Sequence, residues 1–163
     1  LLAVDLESST DSRLKMWEAC LKLIGERPVF GYGAGCETTA EGLARFGVNK
    51  PHAHSLYFEM ATELGIVGIL FLGVVFAFIL YDIIKLIRCG GEYQKLGIAF
   101  LAMLVGFAVA SATEFTLQTP KELQFFMIIL GMLEASKRLA ANEAEKKIAK
   151  EKETAEEKIP AEV

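Results

Sequence analysis

Residues 50–78 read KPHAHSLYFEMATELGIVGILFLGVVFAF. The stretch holds both histidines of the chain, His52 and His54, and then turns apolar. From Leu64 to Tyr81 no residue is charged. At about 1.5 Å per residue that run covers roughly 27 Å, close to the thickness of a bilayer's hydrocarbon core. It reads as a transmembrane helix with the two histidines at its mouth.

A second uncharged run, Leu96 to Thr113, is rich in Ala, Gly and Ser, the small residues that let membrane helices approach closely. A third, Leu123 to Leu133, is short: it could cross with its flanks, lie in the interface or belong to a buried bundle, and is read here as a span. Lys85, Arg88 and Lys95 lie between the first two runs, and Lys137 and Arg138 follow the third. Basic residues mark the cytoplasmic side. The expected fold is therefore all-α. An extracytoplasmic loop of two helices covers 1–63, transmembrane helices fall near 64–84, 96–113 and 122–136, and a charged cytoplasmic tail covers 137–163. That tail, mixed Ala, Glu and Lys, reads as solvated helix or disordered chain.

Composition agrees with this division. Hydrophobic residues make up 53% of the 163, and net charge is only −4, so the apolar content is concentrated in the runs. No basic patch interleaved with aromatics suggests nucleic acid. "LLAV" followed by "DLESSTDS" reads as an apolar segment running into a polar loop, with no signal peptide. The sequence is expected to be the C-terminal part of a longer membrane protein. Cys20, Cys36 and Cys89 have no zinc-site spacing. Cys20 and Cys36 could pair in an oxidising compartment, but free thiols are the simpler reading.

In the outer segment, Asp11 or Ser12 caps a helix that runs to about Ile24, with Leu14, Trp17, Leu21 and Ile24 on one face. Gly25 and Pro28 stop it. The following PVFGYGAGCETTAEG, with Gly31, Gly33 and Gly35, reads as a turn-rich loop and not a P-loop, because no G-K-[ST] follows. A second helix starts near Ser55 and continues into the membrane.

Two residues stand out chemically. An unperturbed histidine side chain titrates near neutral pH, so a residue of this type at position 54 can take a proton from a substrate. At a helix start near lipid headgroups, with Tyr57, Phe58 and Ala61 on its face, it suits a substrate with a polar head and a lipid tail. The competing reading is a histidine that only anchors the helix end. The pair His52 and His54 also invites a metal, with Glu59 or Glu63 as third ligand. Against this, the chain turns helical at Ser55 and no further histidine completes the set. Arg13, in the first turn of the expected helix, would attract an anion and could grip phosphate in a bidentate way. Trp17 lies four residues on, to stack on Arg13 or to pack in the core. Glu37 and Glu41 read as surface charge.

The order Arg13-x-x-x-Trp17, PVFGYGAG, then HAHSLYFEMATELGIVG resembles the C-terminal conserved region of the O-antigen ligase and polymerase family of bacterial membrane proteins. The most specific match is His54-Ser55, nine residues, Gly65, two residues, Gly68. Ser55 takes a place where Asn is common. The resemblance covers residues from about Arg13 to Gly68 and implies a multi-pass, glycosyltransferase C-like transferase in the bacterial cytoplasmic membrane. It implies a polyprenyl-diphosphate-linked glycan as donor and an acceptor such as the lipid A core, reached outside that membrane. It implies no metal or other cofactor. His54 would be the general base and Arg13 would bind the donor diphosphate in an inverting displacement, with His52, Ser55, Trp17, Gly65 and Gly68 supporting. A further arginine and more spans of the family pattern have no counterpart here. A polymerase using the same region, or a non-catalytic membrane anchor, are the rival expectations.

Overall fold

The computed structural model describes residues 2–157, and among them it contains five helices and no strand. These are α1 (Leu2–Glu26), α2 (Cys36–Ala44), α3 (Leu56–Arg88), α4 (Gly91–Thr113) and α5 (Pro120–Glu157). The all-α expectation holds. The end of the expected tail, 158–163, lies outside the described residues.

The outer segment differs from the sequence reading in three ways. First, α1 begins at Leu2, so DLESSTDS is helical rather than a loop. None of those residues is Gly or Pro, and Ser, Thr and Asp each cost a helix only about 0.5 kcal/mol relative to Ala. Arg13 therefore sits in the helix interior, beyond the first turn where the N-terminal field acts. Second, the buried stripe of α1 is Met16, Ala19, Cys20 and Leu23, while Leu14 and Leu21 are exposed. The helical period was right but its phase was rotated, because the phase is set by what covers the helix. Here the cover is Leu43 and Ala53, in one cluster with the α1 stripe. Third, the expected loop contains α2, whose Leu43 is fully buried. Cys20 is a free, buried thiol, and burial pushes its pKa up to about 11.

α3 starts where the histidine stretch turns apolar. Ser55 is its N-cap, its hydroxyl accepting the Phe58 amide at 3.5 Å. Ten residues on, the helix breaks at Gly65, with φ 63° and ψ −152°, a conformation open in practice only to glycine. A break strands carbonyls above it and amides below it, and buried backbone groups need partners. Residues 28–33 supply them. The amides of Tyr32 and Gly33 donate to the carbonyls of Thr62 and Glu63 at 3.0 and 2.8 Å. Below the break, the amides of Ile66 and Val67 donate to the carbonyls of Pro28 and Val29 at 2.8 and 3.3 Å. The loop thus threads into the opened helix. Two glycines make the approach possible: a Cβ on Gly65 would lie 2.5 Å from the Val29 carbonyl, and one on Gly31 would overlap the Glu63 carbonyl.

Below the break, α3 and α4 form an antiparallel hairpin through Cys89 and Gly90. Both are long and apolar enough to cross a membrane, and little of either is buried within the chain. Phe71, Phe78 and Val109 are all more than 60% exposed, as suits helices that face lipid or further helices. α5 does not pass the same test. Its uncharged run, Leu123–Leu133, spans roughly 16 Å as helix, and the helix continues without interruption into the charged tail. At the hairpin end Ile83, Leu86, Phe100, Leu133 and Ala140 form a second core. There Lys137 of α5 reaches Asp82 of α3 at 2.8 Å.

Candidate functional site

His54 is not on a helix. It precedes the Ser55 cap with φ 46°, a left-handed conformation uncommon for a residue with a Cβ and one that clusters at functional sites. Ala53, fully buried, is pinned on both sides. Its carbonyl accepts the Trp17 indole N–H at 3.0 Å, and its amide donates to Glu59 Oε2 at 2.6 Å. Trp17 stacks on Phe58 at 5.5 Å and not on Arg13. The chain between the two histidines is therefore fixed by α1 and by the first turn of α3, and this fixing holds the strained turn in place.

The turn also ties to the top of α4. Ser55 Oγ donates to the Ser111 carbonyl at 3.4 Å, and the Tyr57 hydroxyl to the Ala108 carbonyl at 2.8 Å. The Leu56 amide donates to the Glu114 carbonyl at 3.2 Å. With Tyr57 bound to α4 and Phe58 on Trp17, neither extends a shared face below His54. His54 shares no helical face with Tyr57, Phe58 and Ala61, contrary to the sequence expectation, since it lies outside the helix.

Glu114 is the residue that sequence reasoning missed. One carboxylate oxygen accepts from Arg13 Nη2 at 3.2 Å, and the other lies 3.7 Å from His54 Nδ1. Arg13 and His54, separated by 41 positions in the chain, thus stand on either side of a single carboxylate. His54 Nδ1 is enclosed by protein and lacks a hydrogen-bond partner among the described residues, and 3.7 Å is too long for one. The side chain as a whole is 31% exposed, so its exposure lies on atoms other than Nδ1.

His52 plays a different part. Its Nδ1 accepts the His54 backbone amide at 3.3 Å, and the two rings lie 4.2 Å apart. Burial, and then the neighbouring His54, lower the His52 pKa against a smaller opposing pull from Glu114. The acceptor role needs the neutral ring, and the surroundings favour that form. This lone pair is spent on the backbone, so the His-Ala-His pair does not offer two free nitrogens to one ion. Glu59 is fully buried with Oε1 unpaired, and Glu63 is also buried. Glu59 Oε2 holds Ala53, so its nearest role is structural. Glu37 and Glu41 are exposed.

The candidate residues fall into two groups. Arg13, His52 and His54 surround Glu114, with Phe115 6.2 Å from the His52 ring. Trp17, Ser55 and Gly65 build the frame that sets them. Gly68 belongs to the frame as well, since a Cβ there would meet Leu64 Cβ at 2.5 Å. A groove of about 540 Å³ at the other end of α3, lined by Lys85, Arg88, Glu134, Lys137 and Arg138 among others, holds none of the candidates.

Residues 3–73 match a family model described as O-antigen ligase, less than half of the chain but all of the frame up to Gly68. No curated protein and no solved structure matches the chain.

Proposed function

Because residues 3–73 match a family model described as O-antigen ligase, we propose that the protein transfers a glycan from a polyprenyl-diphosphate carrier to an acceptor hydroxyl at the outer face of the bacterial cytoplasmic membrane. The observation that carries this reading is the juxtaposition of Arg13 and His54 across Glu114. A guanidinium binds phosphate oxygens with paired donors, and an imidazole on the other side of the same carboxylate can take a proton. Transfer from a sugar diphosphate needs both, close together and near the lipid that holds the donor.

In the proposed step His54 takes the proton of the acceptor hydroxyl. The acceptor oxygen attacks the anomeric carbon, and the bond from that carbon to the diphosphate oxygen breaks, inverting the centre. The electron pair leaves with the diphosphate, whose growing charge Arg13 stabilises. No metal enters the scheme. His52, Ser55, Trp17, Gly65 and Gly68 act on the geometry of the turn. The proposed orientation follows from the basic residues at the far end of α3 and α5, Lys85, Arg88, Lys137 and Arg138, which favour the cytoplasmic side.

His54→Ala is expected to lower transfer by at least about 10²-fold while membrane insertion persists. Glycan ladders on the acceptor, read by gel, measure it, and a normal ladder from this variant would sink the reading. Arg13→Ala should weaken use of the donor by roughly 10-fold or more, with Arg13→Lys recovering only part, because a point charge cannot replace a fork. Unchanged dependence on donor concentration would count against the role of Arg13.

A further inference from the structure

We propose that Glu114 is a positioning residue shared between the two halves of the site: it occupies the phosphate place on Arg13 when no donor is bound, and moves onto His54 Nδ1 when one is. The inference rests on the reading of Arg13 and His54 given above and adds the residue that couples them.

The geometry is that of a carboxylate caught between two partners. Oε1 is within hydrogen-bond distance of Arg13, whereas Oε2 stops at 3.7 Å from Nδ1, about one ångström short of a charge-assisted bond. Nδ1 meanwhile is enclosed and unpartnered, a state that buried polar atoms rarely keep. The Glu114 side chain is 55% exposed and has room to turn. Its backbone is not free: the carbonyl accepts from Leu56 and the amide donates to Ala110. A rotation of the side chain therefore moves the carboxylate without moving the frame.

Donor binding supplies the reason to turn. A diphosphate on Arg13 puts negative charge where Glu114 Oε1 now sits, and like charges at contact distance repel. The nearby positive or proton-donating groups are Arg13 (then engaged by phosphate), His52 and His54, and of these ring nitrogens His54 Nδ1 is the enclosed one that lacks a partner among the described residues. Closing the gap to Nδ1 fixes its proton between ring and carboxylate, and leaves the Nε2 lone pair to take the acceptor proton. When Nε2 is protonated, the imidazolium formed faces the Glu114 carboxylate. No bond of Glu114 itself is made or broken, and the proton stays on the histidine until it is released to solvent.

Glu114→Gln separates this role from a structural one. The amide keeps the size of the side chain but removes the competing charge. The expected result is a split. Binding of farnesyl diphosphate, used as a donor mimic with the full protein in detergent, should tighten about two- to fivefold, the worth of one exposed ion pair. Transfer at saturating donor should fall on the order of 10²-fold, as when a base loses its orienting carboxylate. Glu114→Asp should recover part of the rate. Weaker probe binding in Glu114→Gln, or an unchanged transfer rate, would overturn the coupling. If His54→Ala also transfers normally, the base assignment itself has failed; if His54→Ala is dead and Glu114→Gln is not, only the coupling has.

Discussion

The two ends of α3 are held by different physics. At the hairpin end, Ile83 and Leu86 pack on Phe100, Leu133 and Ala140, and one ion pair joins Asp82 to Lys137. Apolar packing is tolerant: side chains of similar volume can exchange at modest cost. At the outer end, four backbone hydrogen bonds cross between residues 28–33 and the broken turn at Gly65, and the histidine turn is pinned through Ala53 and Ser55. Directional bonds tolerate little displacement. A site that must hold Arg13 and His54 within one carboxylate's reach needs the second kind of support.

That contrast is broken most severely at Gly65. Gly65→Val puts a branched residue at φ 63° and drives its Cβ into the Val29 carbonyl. The backbone penalty and the overlap together come to roughly 4 kcal/mol, a large part of a domain's stability. Loss of folded protein on size-exclusion in detergent is the expected result, and a stable, active variant would show that the loop does not thread the break. Leu86→Ala at the other end, where the side chain is 1% exposed, should cost about 2–4 kcal/mol from the cavity it leaves. Here the thermal midpoint should drop while farnesyl diphosphate binding to the surviving folded protein stays unchanged. A loss of probe binding would mean that the two ends are coupled, contrary to the division drawn here.

The same division explains what was legible in the sequence. The hairpin end was visible as hydropathy, because two uncharged runs of 18 residues leave few alternatives to membrane helices. Of the outer frame, Ser55 was visible as a helix start, while Gly65 and Gly68 were marked only by the family spacing: the sequence read one continuous helix there, and the break at Gly65 and the close approach at Gly68 were not foreseen. Glu114 was not visible. Counting equal steps out from Cys89 and Gly90 along the hairpin sets Glu114 opposite Gly65, not His54. The break lets the first turns of α3 leave that register, so that residues 55–57 lie against residues 108–114. Such a shift depends on a backbone angle that no residue pattern displays. α2 was hidden for a related reason: CETTAEGLA is helical with little helix propensity of its own and rests on Leu43 being covered by α1.

The finest test of the outer frame lies at His52. Its neutral Nδ1 accepts the His54 amide, and its pKa is lowered by burial and by His54. The folded chain therefore binds this proton less readily than the unfolded chain, whose histidines titrate near 6.5. Stability of the turn should be full above that value and should fall as pH drops below it, levelling once the lowered folded value is passed. Protonation also removes the lone pair that holds the His54 amide, so the turn should loosen with it. Trp17, the single tryptophan of the chain, bonds the same turn at Ala53 and reports on it. Its emission is expected to shift modestly between pH 7 and 5. In His52→Asn a side-chain oxygen can still accept the amide and position 52 no longer titrates, so the shift should shrink to what Glu59 contributes, the buried carboxyl on the Ala53 amide whose pKa burial raises to about 7. An equal shift in both proteins would place the acid-sensitive contact elsewhere and leave His52 as simple packing beside the base.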